Sequence, residues 1–262
     1  MIRLSIITVV YNDLDGLRKT TQSIDKVFNL RKESGFLEHV IIDGGSTDGT
    51  KEYLENLKNK ECSYNIKWIS ECDSGIYDAM NKGVNYSSGN FLVFVNADDE
   101  VYSNIDLTPL RIELEKSFGD SASAGLAMSS IINFSNRCFE IKPRIVIKNR
   151  PRLPTVHQSM IFKKEVLLKY PFDPSYKICG DYDNFSRIYN GGMTFNLNKD
   201  VFSLFYAGGE SSESPVQLFR ESFSISKKYF DLNKIDTSIV MLRLIISLVK
   251  FQILIMLFMP SK

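Results

Sequence analysis

Asp73-Ser74-Gly75-Ile76-Tyr77-Asp78-Ala79-Met80-Asn81-Lys82-Gly83 puts two acids, an amide, a lysine and two glycines into eleven residues, leaving few side chains for a core. Downstream, Phe91-Leu92-Val93-Phe94-Val95 is a continuous apolar run that ends in Asn96-Ala97-Asp98-Asp99. Adjacent carboxylates at the tip of a buried strand are costly unless a metal ion or a ligand occupies them. Two further polar clusters follow apolar runs: Thr8-Val9-Val10-Tyr11-Asn12, and Asp43-Gly44-Gly45-Ser46-Thr47-Asp48-Gly49-Thr50. The second is not a dinucleotide fingerprint, because Ser46 stands where that pattern needs glycine. Gly180-Asp181-Tyr182-Asp183 adds two more carboxylates, and His157-Gln158 one of the chain's two histidines.

The elements that must position these groups alternate between strand and helix. Leu4–Val10, His39–Asp43, Ile66–Ile69 and Phe91–Val95 read as strands. Leu14–Leu30, Thr50–Leu57 and Tyr77–Tyr86 read as helices between them. Asn12 or Asp13 is expected to cap the first helix, and Ser46 or Thr47 the second. Such alternation predicts an α/β fold with a mostly parallel sheet flanked by helices, and ligands in such sheets sit at the carboxyl ends of strands. All the polar clusters of the first hundred residues fall there. Beyond Asp99 the pattern predicts an antiparallel pair, Ala127–Phe134 and Cys138–Ile147. A basic loop follows (Lys142, Arg144, Lys148, Arg150, Arg152), then a strand at Ser159–Phe162 and helices at Lys164–Leu168 and Asp181–Tyr189.

Taken together, the Asp73–Gly83 and Phe91–Asp99 segments resemble the nucleotide-sugar site of family 2 glycosyltransferases, which have the GT-A fold. The resemblance covers residues 1–212 and implies an inverting transfer of a sugar from a nucleotide carrier, UDP first among them, to a hydroxyl. It implies Mg²⁺ or Mn²⁺ at Asp98 or Asp99, since such ions neutralise a diphosphate with one or two protein carboxylates. The family's strand end usually reads Asp-x-Asp; here Asn96 takes the first place, so ribose contact falls to Asn96 or Asp98. Thr8, Tyr11 and Asn12 look like the family's base-stacking corner, and Asp43 like its base-recognising acid. Asp73 resembles the acid that reaches toward base or ribose, with Asn81 and Lys82 facing the diphosphate. Gly180-Asp181 resembles the family's Glu-Asp segment, which makes Asp181 the expected base and Asp183 the second candidate; the alternative is that Asp181 caps its helix. His157 and Gln158 are placed near the donor sugar or acceptor, and Ala207–Ser212 resembles a loop that closes over the donor.

Composition narrows the class. The chain has 262 residues, is 44% hydrophobic and 24% charged, and carries a formal net charge of +1. That describes a globular protein with no basic field for nucleic acid. Four scattered cysteines without a C-x-x-C pair, beside two histidines, argue against zinc and suit a reducing cytoplasm. Residues 213–262 form a distinct tail. Ile239–Met259 is nearly all apolar, with Arg243, Ser247 and Lys250 on one helical stripe. From Val216 onward there are seven Lys/Arg against three Asp/Glu. Both features suggest a helix lying at the cytoplasmic membrane face, with the protein peripheral there; the alternative is a terminal helix buried against the body or in a dimer. With this tail and the Lys142–Arg152 loop, the family resemblance implies a lipid-linked oligosaccharide or other glycan as acceptor, in surface polysaccharide assembly. The rival readings are a non-catalytic nucleotide-sugar or glycan-binding module of the same fold, and a sugar nucleotidyltransferase; the latter usually carries a glycine-rich, lysine-bearing loop where Tyr11–Leu17 stands.

Overall fold

The computed structural model describes residues 3–28, 35–57, 62, 64–134, 137–146, 152–206 and 214–230, with short helical pieces at 236–238, 241–242 and 245–246. The first half alternates as the sequence predicts: β1 (Leu4–Val10), α1 (Leu14–Phe28), β2 (Leu37–Asp43), α2 (Thr50–Leu57), β3 (Asn65–Ser70), α3 (Ile76–Tyr86) and β4 (Phe91–Phe94). The second half is more mixed. It runs β5 (Glu100–Val101), α4 (Leu107–Gly119), β6 (Ser123–Phe134), β7 (Arg137–Ile141), β8 (Met160–Lys163), α5 (Lys164–Lys169), α6 (Gly180–Asn190), β9 (Thr194–Tyr206) and α7 (Pro215–Tyr229).

One sheet collects the described strands in the order β3-β2-β1-β4-β8-β6-β9-β5, with β7 paired to β6. β3, β2, β1 and β4 are mutually parallel, whereas β8 runs antiparallel between β4 and β6. Alternate residues of the buried strands serve opposite faces. On β1, Ile7 and Val9 pack with α3, α5 and α6, while Leu4 and Ile6 pack with α1 and α4. On β4, Leu92 and Phe94 face the first layer, Phe91 and Val93 the second. These strands read as unbroken apolar runs because both faces are covered.

Several expectations need revision. α4 was not foreseen, although Leu107, Leu110 and Leu114 carry its buried stripe and Asp106 caps it by accepting the Thr108 N–H. β9 was not foreseen either. α7, assigned from the sequence to the tail, places Ile225 in the same core cluster as α3, α5 and α6. The cap of α2 is neither Ser46 nor Thr47 but Asp48, whose carboxylate accepts the Thr50 N–H at 3.1 Å and, from the start of α1, the Leu14 N–H at 2.9 Å. Asp13 does cap α1, accepting the Gly16 N–H. The Ala207–Ser212 loop, Lys148 and Arg150 of the basic loop, and most of Ile239–Met259 lie outside the described residues.

Candidate active site

The strand order brings the carboxyl ends of β3, β2, β1 and β4 side by side, and the loops leaving them carry the polar clusters. Asp43 closes β2, fully buried, in register with Val10 and Ser70. Its carboxylate accepts the Ser46 N–H at 3.1 Å, the Ser46 hydroxyl at 2.5 Å and the Ser70 hydroxyl at 2.6 Å. The Ser46 oxygen in turn accepts the Asn12 N–H at 2.7 Å, and the Asn12 side chain accepts the Thr47 N–H at 2.8 Å. The turns after β1 and β2 are thereby stitched together. Beside them the Tyr11 ring is 66% exposed, a rare position for an aromatic this close to a core strand.

Asp73 approaches the same corner from β3. A methyl group built on Gly44 would fall 2.7 Å from Asp73 Oδ2 and 3.3 Å from the Tyr11 ring. A residue without Cβ is what lets the acid and the ring converge over the end of β2. Tyr11, Asp43 and Asp73 thus form one corner: an open aromatic face with a carboxylate at its floor and another at its side.

The second corner follows β4. The chain turns through Asn96–Asp99, with the Asp99 N–H donating to the Asn96 carbonyl at 3.1 Å. Asp98 adopts φ 71°, and the other non-glycine residue with positive φ among the described residues is Asn12, at φ 49°. Backbone strain of this kind persists where the surroundings enforce it, and here both instances follow adjacent parallel strands, β1 and β4, at one edge of the sheet. Lys19 of α1 donates to Asp98 at 2.6 Å while its ammonium sits 3.2 Å from the centre of the Tyr206 ring. Asp99 is buried, and Gln158 donates to its Oδ2 at 3.0 Å. Burial pushes the Asp99 pKa up to about 7; the Gln158 hydrogen bond opposes this and neighbouring Asp98 adds to it. Asn96 Oδ1 is buried with no hydrogen-bond partner.

A buried carboxylate near neutrality and an orphaned amide oxygen on one turn are a donor set that fits a hard divalent ion. No cluster of three His, Cys, Asp or Glu among the described residues could hold one unaided. The fit therefore requires a ligand's own oxygens or water to complete the shell, as Mg²⁺ commonly does with phosphates.

A row of rings links this turn to α6. His157 stacks on Phe94 with centroids 5.2 Å apart and meets Phe172 edge-on at 5.9 Å, and Phe172 stacks on Tyr77 at 5.9 Å. Burial lowers the His157 pKa to about 4, so the ring is neutral, and its buried Nε2 has no partner. Tyr77 abuts the start of α6: a Cβ on Gly180 would fall 2.7 Å from its ring. The next residue, Asp181, is half-buried and accepts the Tyr182 N–H at 2.7 Å. Burial raises its pKa to about 6.

Not every residue singled out from the sequence joins the cleft. Thr8 is buried inside the sheet, donating to the Val95 carbonyl at 2.7 Å and pairing with His39 Nε2 at 2.9 Å. Asn81 spends both ends of its amide on the Phe172 backbone, at 2.8 and 2.9 Å. Lys82, by contrast, stays beside the first corner: it bonds the carbonyl of Cys72, next to Asp73, at 2.8 Å and pairs with Glu71 at 3.0 Å, within reach of the Asp73 charge. Asp183 is buried under Arg187, which donates to it at 2.8 Å, with the Lys228 ammonium 3.9 Å away. It belongs to the α6–α7 packing. Conversely, Lys19, Ser70 and Tyr77 shape the site without having been assigned a role; each acts through a partner distant in sequence, and of the three only Tyr77 lies in a motif the sequence singles out.

Residues 5–153 match the family described as glycosyl transferase family 2, which is more than half of the chain. An uncharacterized glycosyltransferase of Mycobacterium tuberculosis is 38% identical over 110 residues, which cover 42% of this chain and 38% of that protein. A PGL/p-HBAD biosynthesis glycosyltransferase of Mycobacterium bovis is 26% identical over 159 residues, 58% of each. These alignments span less than two thirds of the relatives' own lengths. Among solved structures, TarS residues 1–349 of Staphylococcus aureus in complex with UDP superposes with a TM-score of 0.61 at 16% identity, covering 93% of this chain and 71% of that one. The mannosyltransferase PcManGT of Pyrobaculum calidifontis, in complex with GDP-Man and Mn²⁺, gives 0.64 at 15% identity, covering 99% and 76%. The last two show the same mixed α/β architecture. On the match across residues 5–153, this chain belongs to glycosyl transferase family 2.

Proposed function

We propose that this chain transfers a sugar, with inversion, from a nucleotide-sugar donor to a hydroxyl of a glycan or lipid-linked acceptor. The observation that carries the reading is the convergence of two corners on one sheet edge: Tyr11, Asp43 and Asp73 on one side, Asn96, Asp98 and Asp99 on the other. The first corner suits a nucleobase, stacked on Tyr11 and bonded by carboxylates. The second suits a diphosphate, and Asp98 and Asp99 would hold the Mg²⁺ or Mn²⁺ that neutralises the departing nucleoside diphosphate. Asp181, across the ring row, is the base. Its carboxylate takes the acceptor hydroxyl's proton as that oxygen bonds the anomeric carbon; the bond from that carbon to the diphosphate oxygen breaks, and its electron pair leaves with the nucleotide. UDP is the first candidate carrier, supported by the TarS structure with UDP and a second with UDP-GlcNAc.

Exposed Lys142, Arg144 and Arg152 suit an acceptor bearing phosphate, such as a lipid diphosphate. Among the described tail residues, Met241, Leu242, Ile245 and Ile246 are 41–57% exposed and recur at helical spacing, which supports a face turned toward a membrane. No helix among the described residues is long and apolar enough to cross one.

The test is a panel of UDP- and GDP-sugars scored by thermal stabilisation with and without Mn²⁺. We expect one nucleotide to stabilise the chain in a metal-dependent way, and Asp99→Asn to abolish the metal's contribution. Stabilisation that is equal with and without metal, and insensitive to Asp99→Asn, would remove the second corner from the account.

A further inference from the structure

α6 carries the proposed base at its second position, yet its own N-cap residue, Cys179, offers no side-chain cap. The amides ahead of it are instead gathered by a residue from another helix. Glu221 of α7 accepts the Lys177 N–H at 3.1 Å, the Ile178 N–H at 3.0 Å and the Cys179 N–H at 2.9 Å. The Gln217 amide donates to the same carboxylate at 2.6 Å. Glu221 is 8% exposed. Burial opposes its charge, but the hydrogen bonds from Gln217, Cys179, Lys177 and Ile178 outweigh that and hold its carboxyl below the ordinary glutamate range. From the other side, the Tyr77 hydroxyl donates to the Ile178 carbonyl at 2.5 Å. The loop before Asp181 is therefore fastened at its N–H groups by α7 and at a carbonyl by α3.

We propose that Glu221 is a positioning residue for the transfer, holding Lys177–Cys179 so that the Asp181 carboxylate meets the acceptor hydroxyl. The inference rests on Asp181 as the base. A surface glutamate on α7 would have no reason to be buried, and three successive amides directed at one carboxylate fix a backbone more firmly than a local cap fixes one turn. Small displacements of a catalytic group are expensive: a misplacement of about 1 Å can cost a factor on the order of a hundred in rate. The titratable groups around Asp181 are Tyr77 on α3, Cys179 ahead of it and Glu221 on α7. Burial is the main cause of its raised pKa, and the negative charge of Glu221 adds to it.

The test compares Glu221→Gln and Glu221→Ala with the full-length parent chain. Both should lower kcat for transfer about tenfold or more while leaving the KM for the donor unchanged. In Glu221→Gln the acidic limb of the kcat profile should move to lower pH, because a negative neighbour of Asp181 is gone. Hydrogen exchange of the Lys177–Cys179 amides should accelerate in Glu221→Ala. Variants that keep the parent's kcat and acidic limb overturn the proposal, and so does a lower melting temperature with both unchanged, which would make Glu221 a structural brace alone. A parent chain that transfers nothing overturns the reading of Asp181 itself and this inference with it; an active parent with unaffected variants overturns the inference only.

Discussion

As the proposed base, Asp181 must be ionised to act, and burial raises its pKa to about 6. The transfer rate should therefore rise with pH through about 6 and fall away below it, as the carboxylate takes up a proton. Asp181→Asn removes the base without changing the shape, and should lower kcat about 10²–10⁴-fold with donor affinity retained; steady-state kinetics across pH measure both effects. Asp183, two positions along the same helix, is a different case. Buried against Arg187 and near Lys228, it has its charge committed to packing. Asp183→Asn should cost stability, because the cations opposite lose their partner, and should leave the acidic limb of the rate profile in place. A melting curve beside a pH profile separates the two roles. From sequence only the family resemblance ranks Asp181 ahead of Asp183; the helix face each occupies supplies the physical distinction.

The same contrast applies to whole elements. α3 follows the Asp73 turn, and the sequence reading gave its Asn81 to the donor. In the structure that amide clamps the Phe172 backbone, accepting its N–H and donating to its carbonyl. Asn81→Leu should thus destabilise the chain by about 1–3 kcal/mol, the cost of stranding buried backbone groups, without weakening nucleotide binding; denaturant unfolding and a nucleotide titration read the two outcomes. The elements legible in the sequence are those whose pattern is set locally. β1 and β4 are apolar runs buried on both faces, and α1 shows its stripe at Leu17, Ile24 and Phe28. β9 had a readable pattern and was passed over: Thr194-Phe195-Asn196-Leu197-Asn198 alternates polar and apolar side chains, and Val201–Tyr206 is rich in strand formers. It is a strand because β6 offers it a parallel edge, across several register shifts. α4 likewise had a readable stripe and was passed over. Thr8 shows where sequence reading stops at the site: a threonine beside Tyr11 reads as part of the cleft until His39 and the Val95 carbonyl are known to claim its hydroxyl.

At the scale of the molecule, the described body closes with α7, whose Glu221, Ser222, Ile225 and Ser226 are buried. The proposal assigns the apolar stretch beyond it to a membrane surface. Deleting residues 239–262 should leave the melting temperature of the body unchanged and shift the protein from the membrane to the soluble fraction, as cell fractionation would show; equal partitioning of both forms would remove the membrane from the proposal. The parallel half of the sheet has a further consequence. Because β1, β2, β3 and β4 all point the same way, every site loop emerges at one end, and the strands' opposite ends at Leu4, Leu37, Asn65 and Phe91 carry none of the chemistry. Seven residues of β1 separate Arg3 from Tyr11, roughly 26 Å of extended chain. A fusion partner or immobilising linker joined ahead of Arg3 would leave from the sheet's blind side, so a chain tethered there offers its cleft to the bulk solution.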